Sequence, residues 1–180
     1  VHQVPANLLL CAFLFPVALA QPATYKSLKP GEFMRQWYLL GPIPVFAGAS
    51  DAKDQETQHK AFKDDQIPPT GFKPEFQTLA VTIGGKKYEW KAVESDQNAV
   101  DLRKLCADSA FAIAYAWAEI EMPEARQALL GIGSDDGGKM WLNEKLIHEN
   151  WVGRPVREDD DVVKATFRKG ANSLLVKIQN

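Results

Sequence analysis

The chain has 180 residues, of which 46% are hydrophobic and 24% are charged, enough for one domain with a sizeable core. Its formal net charge of −2 argues against nucleic acid as a main partner, because a nucleic-acid-binding surface favours a basic stripe. Five Trp and nine Phe, beside three His and two Cys, indicate packing and stacking surfaces more than metal or thiol chemistry.

The first twenty residues read as a secretory signal peptide. An apolar run at 8–15 is too short to span a bilayer with ease, and Ala18-Leu19-Ala20 has the small-x-small pattern of a cleavage site. We therefore predict cleavage after Ala20, a secreted or periplasmic location, and no membrane contact of the mature chain. The alternatives are a buried strand or an N-terminal anchor. After cleavage only Cys106 remains, so the fold must rest on its core and not on an internal disulfide.

A linker at 21–32 precedes a predicted strand from Phe33 to Leu40. The Gly-Pro-Ile-Pro sequence at 41–44 is expected to stop this strand, because proline cannot donate to a ladder. The charged, apolar-poor segment 47–76 reads as a surface excursion with one short helix near residues 51–64.

Several later segments show the period-two pattern of strands. The arms 78–83 and 87–93 flank Gly84-Gly85 and predict a hairpin. In the alternating segment 111–118 every large residue falls at an odd position, which favours a strand over a helix. We expect its large residues to face the core: Phe111, Ile113, Tyr115 and Trp117. Further strands are predicted at 127–132, 162–167 and 173–178.

A second hairpin is predicted from Lys139 to His148, with Asn143-Glu144 as its two-residue turn. With that turn Met140 faces Ile147 and Trp141 faces Leu146, since directly opposed residues share a face. The face with Met140, Leu142 and Ile147 suits a core, and the other carries Trp141 and Leu146, flanked by Lys139 and His148.

Three motifs together resemble a known family of modules. They are Ser-Asp-Asp-Gly-Gly-Lys-Met-Trp-Leu-Asn-Glu-Lys at 134–145, Trp-Tyr-Leu-Leu-Gly-Pro-Ile-Pro at 37–44, and Lys-Gly-Ala-Asn-Ser-Leu-Leu-Val-Lys at 169–177. They are similar to the acidic turn, the Trp-Leu-Asn hairpin and the closing strand of the PA14-like and galactose-binding-like β-sandwich modules of secreted bacterial carbohydrate-active proteins. These motifs specify the fold well and the ligand poorly.

The pattern of many short strands and one helix predicts an all-β protein, an antiparallel β-sandwich. The resemblance makes it a jelly-roll type, with residues 33–180 as the module. Such modules usually have one further strand beyond the Leu-Leu-x-Lys motif, whereas this sequence ends at Asn180.

Asp135 and Asp136 are the candidate metal ligands. Adjacent carboxylates repel each other, and a hard cation such as calcium compensates for that repulsion. The resemblance implies this role, because paired aspartates in some PA14-like lectins hold a calcium ion that coordinates sugar hydroxyls. The competing interpretation is a tight turn in which a carboxylate accepts backbone N–H bonds.

Trp141 and Trp151 are the candidate stacking residues, because an exposed indole suits the C–H face of a pyranose, although aromatic residues are usually buried. The complete set of candidate ligand-binding residues is Trp141, Asn143, Trp151, Arg154 and Arg157. The two arginines could instead neutralise the acidic run at 158–161, which reads as a solvated loop.

The leading functional hypothesis is a non-catalytic carbohydrate-binding module that binds a polysaccharide or glycan and contacts neighbouring domains of a secreted enzyme. The alternative is a structural or interaction module without a sugar site. A small secreted glycoside hydrolase or esterase is a third hypothesis. For catalysis the sequence singles out no residue, because neither a Ser/His/Asp arrangement nor a metal-spaced His pair is visible.

Overall fold

The computed structural model describes residues 23–26, 28–45, 55–69, 80–100, 102 and 111–179. The predicted signal peptide, Cys106 and the first residues of the predicted helix lie outside these ranges.

The described residues form eleven strands and one helix. In chain order they are β1 (Thr24–Tyr25), β2 (Gln36–Pro44), α1 (Gln55–Lys63), β3 (Ala80–Ile83), β4 (Lys86–Glu89), β5 (Lys91–Glu94), β6 (Ala112–Met122), β7 (Arg126–Ile132), β8 (Gly137–Leu142), β9 (Lys145–Trp151), β10 (Asp161–Phe167) and β11 (Gly170–Gln179). The predicted antiparallel β-sandwich with one short helix is confirmed.

The main sheet has the strand order β5-β2-β6-β11-β8-β9, and β1 adds a short parallel pairing to β6. Two further antiparallel pairs, β3–β4 and β7–β10, lie outside it. The β7–β10 pair covers one face of the main sheet, where Met140, Phe167 and Val176 belong to one buried cluster. Side chains of α1 and of the β3–β4 hairpin pack against the other face, on a cluster that contains Tyr115, Trp141 and other residues. The main sheet is therefore covered on both faces.

Strand β6 lies between β2 and β11 in the middle of this sheet. Ile113, Tyr115 and Trp117 are buried as predicted, and the alanines that alternate with them are largely buried too. Phe111 differs from the prediction, because it precedes the strand at a positive φ of 54° and is only half-buried.

The prolines of the 41–44 segment predicted that strand β2 stops at Gly41, but it does not. It continues to Pro44 through an irregularity between Leu40 and Ile43, after which Ile43 pairs with Ile113. The other neighbour, β5, pairs only as far as Leu39. Among the described residues this part of β2 has no ladder partner on its second side, so its prolines are tolerated there.

The two predicted hairpin turns are confirmed. Gly84 and Gly85 both have positive φ between β3 and β4. Asn143 and Glu144, between β8 and β9, have φ of 49° and 71°. Positive φ at both turn positions is the geometry that matches the twist of two-residue hairpins.

The predicted register of the β8–β9 hairpin is only partly right. Trp141 faces Leu146, but Met140 faces His148 and not Ile147, because a bulge separates the two pairs. The bulge inserts one extra residue, so His148 is turned toward Asp161 on β10. Period-two reasoning cannot detect such an insertion. The second face of β8 is also buried rather than open, since all six of its residues are buried.

Helix α1 lies within the predicted range, whose first residues are not among those described, and it is more than a surface excursion. It runs from Gln55 to Lys63, and Phe62 and the following Ile67 are each 1% exposed. None of the helices in the described part of the chain is long and apolar enough to cross a membrane.

Candidate functional site

Helix α1 is held on the main sheet by a buried amine from β11. The ammonium Nζ of Lys177, whose residue is 0% exposed, donates to the carbonyl oxygens of Ala61 at 3.0 Å, Phe62 at 2.8 Å and Asp64 at 2.7 Å. The last carbonyls of a helix have no partner within the helix. Lys177 therefore provides these carbonyls with hydrogen bonds and places a positive charge at the negative end of the helix dipole.

Two neighbouring side chains add to this anchor. Lys139 of β8 donates to the carbonyl of Lys63 and to Oδ1 of Asp65, both at 3.1 Å. Gln179 of β11 donates to the carbonyl of Gln58 at 2.9 Å. Since all three donors project from the main sheet, α1 is attached to it by backbone acceptors and cannot shift along the sheet without losing several hydrogen bonds.

The pKa of Lys177 is lowered to about 8, chiefly by burial and in smaller part by the charge of Lys139, while Asp65 acts in the opposite direction. The ammonium also lies 5.8 Å from the ring centroids of Phe62 and Tyr115, a favourable position for a cation. The charge is thus surrounded by aromatic faces and carbonyl oxygens, with one carboxylate at 3.4 Å.

Trp151 ends the edge strand β9 and is half-buried. The imidazole of His59 stacks on its indole with ring centroids 5.4 Å apart and an interplanar angle of 26°. The ring of Phe62 lies 5.1 Å from the indole, tilted by 45°. Gly137 makes this approach feasible, because a Cβ there would lie 2.8 Å from the rings of both Phe62 and Trp151.

The Asp135-Asp136 segment lies beside the loop that follows Trp151. The carbonyl of Asp136 accepts from the amide of Val152 at 2.7 Å, and that of Asp135 accepts from the amide of Arg154 at 3.3 Å. Burial and the charge of Asp135 raise the pKa of Asp136. A Cβ on Gly153 would lie 3.8 Å from Oδ1 of Asp136, so this carboxylate faces the glycine. Within the described ranges, no group of three or more His, Cys, Asp or Glu residues is placed to hold a metal ion.

Arg154 forms ion pairs with two carboxylates of the acidic run at 158–161. Its guanidinium makes two hydrogen bonds to the carboxylate of Asp161, and its Nε lies 3.4 Å from Oδ2 of Asp160. Asn150 also donates to Asp161, with both distances 3.2 Å. The bond from Arg154 and the one from Asn150 lower the pKa of Asp161. Of the two roles considered for Arg154, the structure shows neutralisation of the acidic run. Arg157 is exposed in the same loop.

Trp141 and Asn143, two of the predicted ligand residues, have internal roles. Trp141 is 4% exposed within the core and so presents no open face to a sugar. The side-chain amide of Asn143 donates to Asn172 at 2.8 Å, and its oxygen accepts from the amide of Ser173 at 3.1 Å. The fully buried Asn172 in turn donates to the carbonyls of Ile120, Arg168 and Gly170. The Trp-Leu-Asn and Gly-x-Asn motifs thus lock the β8–β9 turn to the β10–β11 turn.

A separate open depression of about 680 Å³ lies on the part of the surface that includes Tyr25, Arg35 and Asn98. Among the described residues that line it, Glu32 is the one carboxylate. A glycosidase needs a pair of carboxylates on either side of the scissile bond, and the described lining does not show such a pair.

The structure brings together Trp151, Asp135, Asp136 and the backbone of Arg154, and it adds two residues that sequence reasoning missed. His59 and Phe62 come from α1, which lies about ninety positions before Trp151 in the sequence. Their spacing of three places them on one side of a helix, but no local pattern indicates which strand that side contacts.

No family model matches the chain, and no curated protein matches it. Similar solved structures include Faecalibacterium prausnitzii β-glucuronidase, at 15% identity and a TM-score of 0.40 over 83% of this chain and 22% of that one. Ruminococcus gnavus β-glucuronidase is similar at 12% identity and a TM-score of 0.41 over 90% of this chain and 23% of that one. This chain spans less than a quarter of the length of these enzymes. Similarity at this level assigns no function.

Proposed function

We propose that the chain is a non-catalytic carbohydrate-binding module of a secreted protein, of the PA14-like or galactose-binding-like kind that its motifs resemble. The observation that carries the proposal is the half-buried Trp151 at the end of the edge strand β9, next to Gly153 and the carboxylate of Asp136. An indole surface bordered by polar groups suits a pyranose, whose C–H face stacks on the ring while its hydroxyls need hydrogen-bonding partners.

The rigidity of this site supports the same proposal. Two rings of α1 contact Trp151, and the Arg154–Asp161 ion pair holds the loop after it. A site held in one conformation loses less entropy when it binds a ligand. Arg157 is exposed in this loop and supplies a guanidinium fork for hydroxyl or carboxylate groups.

Replacing Trp151 with Ala is expected to weaken glycan binding at least tenfold, because truncation of a central aromatic residue typically costs about 2 kcal/mol or more. The measurement is a glycan-array screen followed by calorimetric titration of the bound glycan. Leu146→Ala is the matched control, since Leu146 is an exposed apolar residue of the same strand. Glycan binding by Trp151→Ala at the wild-type level would show that the site lies elsewhere.

Calcium at Asp135 and Asp136 is a further part of the proposal. If the pair binds calcium, the free energy of unfolding should rise with the logarithm of free calcium, by about 2.7 kcal/mol at a hundredfold excess over the dissociation constant. The melting temperature should rise with it. The Asp135→Asn/Asp136→Asn variant keeps the shape and removes the charge, so it should lose this response and remain folded. Thermal melts of both proteins, with calcium and with chelator, make the measurement. A wild-type melt indifferent to calcium leaves the pair as a structural turn.

A second candidate function is a structural module that orders neighbouring domains and binds no sugar. The observation in its favour is that three predicted ligand residues already have partners within the protein. Trp141 is buried in the core, Asn143 donates to Asn172, and Arg154 forms an ion pair with Asp161. Under this alternative Trp151→Ala changes stability and changes no glycan signal, because the wild type has none.

A further inference from the structure

Two rings of α1 contact Trp151, and the imidazole of His59 is the one whose plane is closer to parallel with the indole. The 26° angle and 5.4 Å centroid separation describe an offset stack, a favourable arrangement for two aromatic rings. Phe62, one turn later on α1, is buried beneath the same indole. His59, by contrast, is half-buried and so lies at the boundary between the core and the solvent-accessible part of Trp151.

His59 is held in position by the hydrogen bonds that attach α1 to the main sheet. Lys177, Lys139 and Gln179 fix the backbone carbonyls of the helix at Gln58 and from Ala61 to Asp64. His59 lies between these anchored positions. Its side chain is therefore presented to the indole by a helix that is fixed at both ends of the contact.

We propose that His59 is a positioning residue of the glycan site: by stacking on Trp151 it fixes the indole, so that α1 is part of the binding site. This inference rests on the proposed carbohydrate-binding function. An indole at the end of an edge strand has two side-chain torsions, and a stacked partner removes the freedom that a ligand would otherwise have to remove on binding. His59 thereby raises affinity without having to touch the glycan.

The test compares three variants of His59 and its helix on the glycan identified by array screening. His59→Ala should weaken binding about tenfold, whereas His59→Phe, which keeps a ring against the indole, should stay within about twofold of the wild type. Lys60→Ala is the matched control, because Lys60 is the exposed neighbour on the same helix, and it should bind as the wild type does. Acrylamide quenching of Trp151, isolated by difference against Trp151→Phe, should increase in His59→Ala and not in His59→Phe.

The outcomes separate the inference from the function on which it rests. Wild-type protein that binds no glycan on the array overturns the proposed function and this inference with it. Wild-type protein that binds glycan, together with a His59→Ala variant of equal affinity, overturns the inference alone. Equal losses of affinity in His59→Ala and His59→Phe also overturn it. The Phe variant keeps a ring against the indole, so the loss of stacking could not then be the cause.

Discussion

Replacement of Lys177 with Met is expected to destabilise the protein by about 3–5 kcal/mol, the range found when one partner of a buried charged network is removed. Methionine replaces the aliphatic part of the lysine side chain and lacks only the ammonium, so the loss does not come from a large cavity. It comes from the carbonyls of Ala61, Phe62 and Asp64, which lose their donor. Each buried carbonyl left without a partner costs about 1–3 kcal/mol. Urea denaturation followed by far-UV circular dichroism measures the change.

Lys164→Met is the matched control, because Lys164 is an exposed lysine within a strand and its replacement should change the free energy of unfolding by less than about 0.5 kcal/mol. If Lys177→Met unfolds at the same urea concentration as the wild type, the ammonium does not hold α1 on the sheet. Amide hydrogen exchange locates the effect, since the loss of protection should be greatest in α1.

The wild type and Lys177→Met also differ in how their stability should change with pH, and the direction of that difference can be stated. Burial lowers the pKa of Lys177 to about 8 from an ordinary value of 10.5. Between these two values the unfolded chain binds more protons than the folded one, so stability should rise with pH there. Burial raises the pKa of Tyr115, so the stability associated with its neutral phenol is present below about pH 10 and is lost above it.

The wild type should therefore gain stability relative to Lys177→Met between pH 8 and pH 10, because both proteins contain Tyr115 and only one contains the lysine. Urea melts at half-unit intervals of pH make the measurement. A difference between the two proteins that is constant over this interval would mean that the Lys177 pKa is not lowered in the folded state.

Replacement of Ile113 with Asp is expected to prevent folding. Ile113 is buried in the central strand β6, where it pairs with Ile43 of β2 and with Gln179 of β11. A carboxylate without a partner at such a position costs several kcal/mol whether it stays charged or takes up a proton. That cost is comparable to the 5–15 kcal/mol of total stability typical of a domain.

Circular dichroism and a thermal melt of soluble Ile113→Asp protein make this measurement. The matched control is Thr166→Asp, which places the same carboxylate at an exposed position of β10 and should remain folded. A soluble Ile113→Asp variant with a cooperative melt would show that this side chain does not face the core.

Local chemistry by itself determined the hairpins and the face of β6. Positive φ at two successive positions is required by a two-residue turn, so Asn143-Glu144 and Gly84-Gly85 could be identified from the printed sequence. The alternation of large and small residues around Ile113 fixed which side of the strand carries the larger side chains. The bulge between Met140 and Trp141 was missed, because the predicted register assumed that each residue of β9 pairs with one residue of β8, whereas a bulge leaves one residue unpaired.

Only the tertiary structure decided which residues of the motifs are free to bind a ligand. Trp141 and Lys139 lie on the side of β8 that α1 and the β3–β4 hairpin cover, and a period-two pattern does not reveal whether a second layer covers that side. Lys177 and the carbonyl of Phe62 are 115 positions apart, so no sequence window contains both. The local sequence therefore determined strands and turns, whereas long-range packing decided that Trp151 is half-buried while Trp141 lies in the core, and that rings of α1 contact Trp151.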